Sequence, residues 1–163
     1  MTEADSEEYR EEHKENVIIF MPEISKTHKG GTMRLGTRTT YVRDPDSLAA
    51  KVYYGEQEIS ERHRHRYEVN CDFKADLEAK GMVFSGEDIN KERMEVLELK
   101  DHEAFFLGVQ YHPEFTSRPF SPNPCFYAFI LASSGQVSEI GSRSEFETVF
   151  RDAPDDLSQT SLE

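Results

Sequence analysis

His112-Pro113-Glu114 is the part of this sequence best suited to chemistry. A histidine and a carboxylate two residues apart project to one side of an extended backbone. The proline between them fixes its own φ and holds His112 extended. In such a pair the carboxylate accepts one imidazole N–H and fixes the tautomer. It also stabilises the imidazolium that forms when the other nitrogen takes a proton from a thiol or hydroxyl nucleophile. The tripeptide follows Phe105-Phe106-Leu107-Gly108-Val109-Gln110-Tyr111, a nearly unbroken apolar run. That places it at the C-terminal end of a predicted central strand, the edge of an open α/β sheet where ligands bind. A His-Pro-Glu tripeptide also arises by chance in roughly a few per cent of chains this long. On residues alone, a catalytic pair and a chance tripeptide stand level.

Other chemistry-bearing residues divide in the same way. Arg62-His63-Arg64-His65-Arg66 is a basic patch in an acidic chain, small enough to serve one anionic group; it reads equally as a charged edge that blocks unwanted strand pairing. His63 and His65 with His112 make a poor metal site, because no further donor cluster accompanies them. Cys71 and Cys125 lie in no CxxC frame and read as packed thiols in a reducing compartment.

Several elements must position these groups. Val17-Ile18-Ile19-Phe20-Met21, closed by Pro22, has the composition of a strand buried on both faces of a mainly parallel sheet. Before it, Glu3 to Glu15 reads as a solvated loop or marginal helix. Met33 to Tyr41 alternates as a half-exposed strand entered through the Gly30-Gly31 hinge. Asp44-Pro45-Asp46-Ser47 can end that strand and cap a short helix over Leu48 to Val52. Glu61 to Val69 reads as extended, and Phe73 to Lys80 as a helix stopped by Gly81. Met82 to Ser85 and Met94 to Leu99 are further strands. Pro124 to Ala132 has helical length and is expected to pack on the sheet. The fold class is therefore α/β, a mainly parallel sheet with flanking helices.

A chain of 163 residues with 36% hydrophobic residues has room for one domain of ordinary size. A formal net charge of −13 repels a polyanion, so nucleic acid is not an expected partner. No segment approaches the ~20 apolar residues of a membrane span, and the start lacks the basic and apolar regions of a signal peptide. A soluble, cytoplasmic protein is expected. Residues 136–163 are Ser- and acid-rich and read as a disordered tail behind a domain over residues 1–135.

Three blocks together resemble the glutaminase domain of CTP synthases: Gly30-Gly31-Thr32-Met33-Arg34-Leu35-Gly36, Glu61 to Asn70, and Gln110 to Ser117. The resemblance covers roughly residues 4 to 135. It implies a flavodoxin-like class I glutamine amidotransferase domain, represented here without its N-terminal strands. It also implies that His112 is the general base and acid of a cysteine–histidine–glutamate triad, with Glu114 orienting it. Arg66 would bind the α-carboxylate of glutamine, Tyr67 would add backbone contacts, and Glu8, in Ala4-Asp5-Ser6-Glu7-Glu8-Tyr9, would receive the substrate ammonium. Gly30, Gly31, Thr32 and Arg34 would belong to a lid through which GTP stimulates hydrolysis, although Gly30-Gly31 as a plain turn and Arg34 as a solvated strand residue fit the residues too.

The family's Gly-x-Cys-x-Gly turn does not occur in these residues. Nucleophile, oxyanion donors and the ATP- and Mg2+-using synthase domain would thus lie outside them. The whole enzyme would pass ammonia from glutamine to UTP, and would be a homotetramer. The piece alone is expected to be inactive, poorly soluble or partly unfolded, and to need no cofactor or metal. Two other readings remain. One is a non-catalytic module binding glutamine, GTP or a synthase subunit; the other is an independent hydrolase using Cys71 or Cys125.

Overall fold

The computed structural model describes residues 3–21, 33–101 and 104–142. Eight strands run in chain order as β1 (Asp5–Ser6), β2 (Asn16–Phe20), β3 (Arg34–Val42), β4 (Glu58–His65), β5 (Tyr67–Val69), β6 (Met82–Glu87), β7 (Met94–Leu99) and β8 (Leu107–Val109). Three α-helices join them: α1 (Leu48–Val52), α2 (Lys74–Glu78) and α3 (Pro124–Ser133). The strands form a three-stranded sheet in the order β1-β2-β5 and a five-stranded sheet in the order β4-β3-β6-β7-β8.

The α/β class is as expected, but the pairing in these residues is mixed rather than mainly parallel. Only β1 and β2 run parallel. Every pair of the five-stranded sheet is antiparallel. Short connections dictate this for β6–β7 and β7–β8, since a parallel pair needs a crossover of a dozen or more residues and a hairpin does not; β3 and β4 are joined through α1. The β6–β7 turn is one such connection: Asp88 Oδ1 accepts the backbone N–H groups of Glu92 at 2.8 Å and Arg93 at 3.0 Å, while Lys91 takes the left-handed conformation.

Two apolar runs read as buried strands behave differently. In β2 only Asn16 is buried and the rest is half-buried, because its neighbours are two short strands. The run 105–111 shortens to β8, three residues at the sheet edge. Gly108 lets β8 approach β7: a Cβ there would stand 3.0 Å from Leu97 Cγ. The segment 3–15, read as loop or marginal helix, contributes the two residues of β1 among turns.

Other elements match their signals. Ser47 Oγ accepts the Ala50 N–H at 3.1 Å and caps α1. The Glu98 carboxylate, from β7, takes the N–H groups of Leu48 and Ala49 at 2.8 Å each. That pins α1 to the sheet. Gly81, at φ +95°, ends the segment after α2. Helix α3 buries Cys125, Ala128 and Leu131, one stripe at three-residue spacing, and leaves Phe126, Phe129 and Ile130 exposed. These contacts close one core, built from Val42, Ala49, Ala50, Val52, Tyr53, Ile59, Val96, Tyr111, Cys125 and Ala128. The tail expected over 136–163 is described only to residue 142, where 137–139 form a short 3-10 turn; residues 143–163 lie outside the described residues.

The extended segment predicted over 61–69 begins earlier, at Glu58, and is cut by Arg66 into β4 and β5. One chain segment therefore enters both sheets, with Arg66 at the crossing. Its carbonyl accepts the Met21 N–H at 2.9 Å, which fixes the break from the other side.

Candidate active site

His112 leaves the buried Tyr111 with extended backbone, φ −112° and ψ 91°. Pro113 then opens a 3-10 turn over Pro113–Phe115. The dyad is thus formed by a turn, not by two alternate positions of an extended strand: proline's fixed φ suits the first position of a helical turn as well as a strand end. The outcome is the pairing expected, with His112 Nδ1 2.7 Å from Glu114 Oε1. An ionised carboxylate only accepts, so Nδ1 carries the hydrogen and Nε2 presents the lone pair of a general base. The Glu114 N–H and the imidazole hold the Glu114 carboxyl below its usual range. Both side chains are open to solvent, 37% exposed for His112 and 54% for Glu114. The His112 N–H donates to the Arg62 carbonyl at 2.9 Å, and its ring stands 5.3 Å from that of Phe115.

Strand β4 supports this turn. Its alternation puts Ile59, Glu61 and His63 inward and Arg62 and Arg64 outward. β4 is an edge strand, so the two exposed arginines fit the reading of a guarded edge. Glu61, 3% exposed, accepts from Tyr53 Oη at 3.1 Å, from Thr116 Oγ1 at 2.7 Å and from Asn123 Nδ2. Residue types alone did not single out Glu61. The period-two pattern from Ile59 could have done so, since it places a carboxylate where an apolar residue is due.

His63, buried, and His65, half-buried, form a second hydrogen-bonded pair. His65 Nδ1 lies 3.1 Å from the Tyr67 carbonyl, which can only accept, so Nδ1 is the donor and Nε2 the acceptor. His63 Nδ1, 3.3 Å from His65 Nε2, must then donate. Burial pushes His63 down to about 3 and His65 to about 4, with Arg34 adding to both shifts. Both rings are neutral near pH 7. Among the described residues no group of three His, Cys, Asp or Glu side chains is arranged to hold a metal ion.

Arg66 follows, half-buried, and its Nε is buried with no hydrogen-bond partner. A buried guanidinium N–H without an acceptor is costly, and a bound carboxylate would satisfy it. Tyr67 packs edge-on against Phe20 with ring centres 5.5 Å apart. Glu8 is exposed just beyond β1, which β2 separates from β5; two strand spacings amount to about 10 Å. Its neighbour Glu7 is committed, Oε2 accepting the Phe20 N–H at 2.7 Å.

Arg34 is not a solvated strand residue, its side chain being 14% exposed. Its Nη2 pairs with Glu95 Oε1 at 2.7 Å, and Thr40 holds the other Glu95 oxygen. Gly30, Gly31 and Thr32 lie outside the described residues. The two thiols are not equipped to attack. Burial raises Cys125 to about 11, with Tyr53 Oη at 3.2 Å, and Cys71 donates to the Glu92 carbonyl at 2.7 Å.

The family model for glutamine amidotransferase class-I matches residues 10–132. The chain belongs to this family. Within the class-I amidotransferases it is 47% identical to CTP synthase 1-A of Xenopus laevis over 138 residues, which is 85% of this chain and 23% of that protein. It is 50% identical to the CTP synthase of Neurospora crassa over 143 residues, 86% of this chain and 24% of that protein. The chain thus spans about a quarter of the length of these curated relatives. Among solved amidotransferase structures, the glutaminase domain of Trypanosoma brucei CTPS with bound acivicin superposes with a TM-score of 0.76 at 35% identity, covering 83% of this chain and 52% of that one.

Proposed function

We propose that this chain carries the acid–base half of the glutamine-hydrolysing site of a CTP synthase. The observation behind this reading is the His112–Glu114 pair, whose Nδ1–Oε1 contact of 2.7 Å leaves Nε2 to act as base. A cysteine presented from outside these residues completes the site. His112 Nε2 takes the thiol proton, and the thiolate attacks the carboxamide carbon of glutamine. The imidazolium then protonates the departing nitrogen, releasing ammonia and leaving a thioester. Water, deprotonated by the same Nε2, attacks the thioester and frees glutamate and the thiol.

Arg66 binds the α-carboxylate with the Nε that has no partner of its own, Tyr67 contributes backbone contacts, and Glu8 receives the α-ammonium. Ammonia passes to the synthase domain of the same polypeptide, where ATP and Mg2+ support amination of UTP to CTP. GTP acts on the lid segment Gly30 to Gly36, in which Arg34 is held by Glu95. The full enzyme works in the cytoplasm as a homotetramer. Its domain spans residues 1–135, followed by an acidic tail.

The test uses the full-length polypeptide with His112→Ala. Glutamine-driven CTP formation should be lost while ammonia-driven formation persists. Retention of the glutamine-driven reaction overturns the assignment.

A further inference from the structure

We propose that Glu61 is a positioning residue for His112, acting through Thr116 to set where the dyad turn sits above β4; the proposal rests on the glutaminase reading given above. Consecutive residues of β4 hold both ends of that turn. The Arg62 carbonyl takes the His112 N–H at 2.9 Å, and the Glu61 carboxylate takes the Thr116 hydroxyl at 2.7 Å. Between these anchors the turn is tied to itself, Phe115 N–H to the His112 carbonyl at 3.1 Å and Thr116 N–H to the Pro113 carbonyl at 3.2 Å. The dyad above is open to solvent, so its position is fixed from below.

Glu61 is an expensive way to pack a strand. It is buried without a cation among its partners in the described residues, and a fully apolar cluster in place of Glu61 and its donors would serve stability as well. Its donors instead come from three places that must agree: Tyr53 at the end of α1, Thr116 at the end of the dyad turn, and Asn123 at the start of α3. Asn123 is itself shared, its Nδ2 donating to Thr116 Oγ1 at 2.9 Å and its Oδ1 accepting the Cys125 N–H at 2.9 Å as the α3 cap. The carboxylate therefore locks the turn to the framework at one point.

Glu61→Ala would leave these donors unpaired and could unfold the domain, so Thr116→Val is the informative change: it removes one hydroxyl at similar volume. In the full-length enzyme the glutamine-driven kcat should fall between about 10- and 100-fold, the cost of a catalytic group displaced by up to about 1 Å. KM for glutamine and ammonia-driven CTP formation should hold, and Thr116→Ser should restore kcat. Thr116→Val added to Glu61→Gln should cost less than the sum of the two single changes, because both alter the one Thr116–Glu61 contact. A wild-type kcat in Thr116→Val, a loss confined to KM, or equal loss of the glutamine- and ammonia-driven reactions overturns the proposal. His112→Ala separates the two failures. If it abolishes glutamine use while Thr116→Val does not, only the positioning role falls; if it leaves glutamine use intact, the glutaminase reading falls first.

Discussion

His112 Nδ1 lies 2.7 Å from Glu114 Oε1 across the turn that Pro113 opens. The carboxylate dictates which imidazole nitrogen is free. Glu114→Gln keeps the shape but can offer an amide N–H to Nδ1, which turns the wrong nitrogen outward. By comparison with serine triads, where the Asp→Asn change costs about 10⁴-fold, a loss of about 10²- to 10⁴-fold in glutamine-driven kcat is expected, with ammonia-driven CTP formation retained. Steady-state kinetics with each nitrogen source checks this.

Arg66 makes a different prediction because its part ends at binding. A bound carboxylate would satisfy its buried, partnerless Nε, and charge-assisted hydrogen bonds contribute about 1.5–3 kcal/mol. Arg66→Met should raise KM for glutamine about 10- to 100-fold and change kcat less. Arg66→Lys should recover only part of this, since an ammonium cannot reproduce the planar fork. A kcat-dominated loss would place Arg66 with the reacting atoms instead.

Much of this was legible before the structure. Helix α1 follows from its capping residue and strand β7 from its apolar content, which are local signals, whereas in β3 the buried residues are Thr40 and Val42 and Leu35 is 58% exposed, so the face that alternation suggested is the outer one. Pairing direction was not local. The apolar runs at 17–21 and 105–111 look like central parallel strands, yet their neighbours are chosen by chain connection, and both are half-exposed or short. The dyad itself was visible in three letters. Its support was not, because Glu61 gains meaning only when Tyr53, Thr116 and Asn123, distant in sequence, arrive beside it. Arg34 carries the same lesson: its partner Glu95 lies two strands away in the sheet, so nothing local announced the pair.

The buried ionisable groups make stability depend on pH with a sign that can be worked out. His63 and His65 titrate near 3 and 4 in the folded chain against an ordinary 6.5. Their stabilising contribution is present above 6.5 and lost as pH falls through that window, because the unfolded chain binds the protons. Glu68 works the other way. Burial raises it from 4.5 to about 7, with Asp88, Glu95 and Glu92 adding to the rise, even though Arg93 Nε lies 3.0 Å away. It gains stability as pH falls from 7 towards 4.5. Burial raises Glu95 as well, so two histidines oppose two carboxyls, and removing one carboxyl should tilt the balance towards a fall in stability on acidification between pH 4.5 and 6.5. Glu68→Gln should shift the profile that way, and urea midpoints across this range measure it. A shift the other way in Glu68→Gln would contradict the assignment.

Gly86 tests the sheet that carries Arg34. It pairs with Val42 on one side and Val96 on the other. A Cβ there would stand 2.6 Å from Val96 Cγ2, 2.8 Å from Val96 Cβ and 2.9 Å from Thr40 Cγ2. Neither neighbour can swing away, since both are β-branched and fully buried, and Thr40 Oγ1 is bonded to Glu95. Gly86→Ala should therefore destabilise the fold by about 1–3 kcal/mol, read as a lower urea midpoint with unchanged slope. The strain should be specific to the facing side chain. Gly86→Ala combined with Val96→Ala should cost less than the sum of the two single changes, because the smaller residue makes room for the new methyl and the new methyl fills its cavity. Strict additivity would mean that the two strands are not packed at this contact.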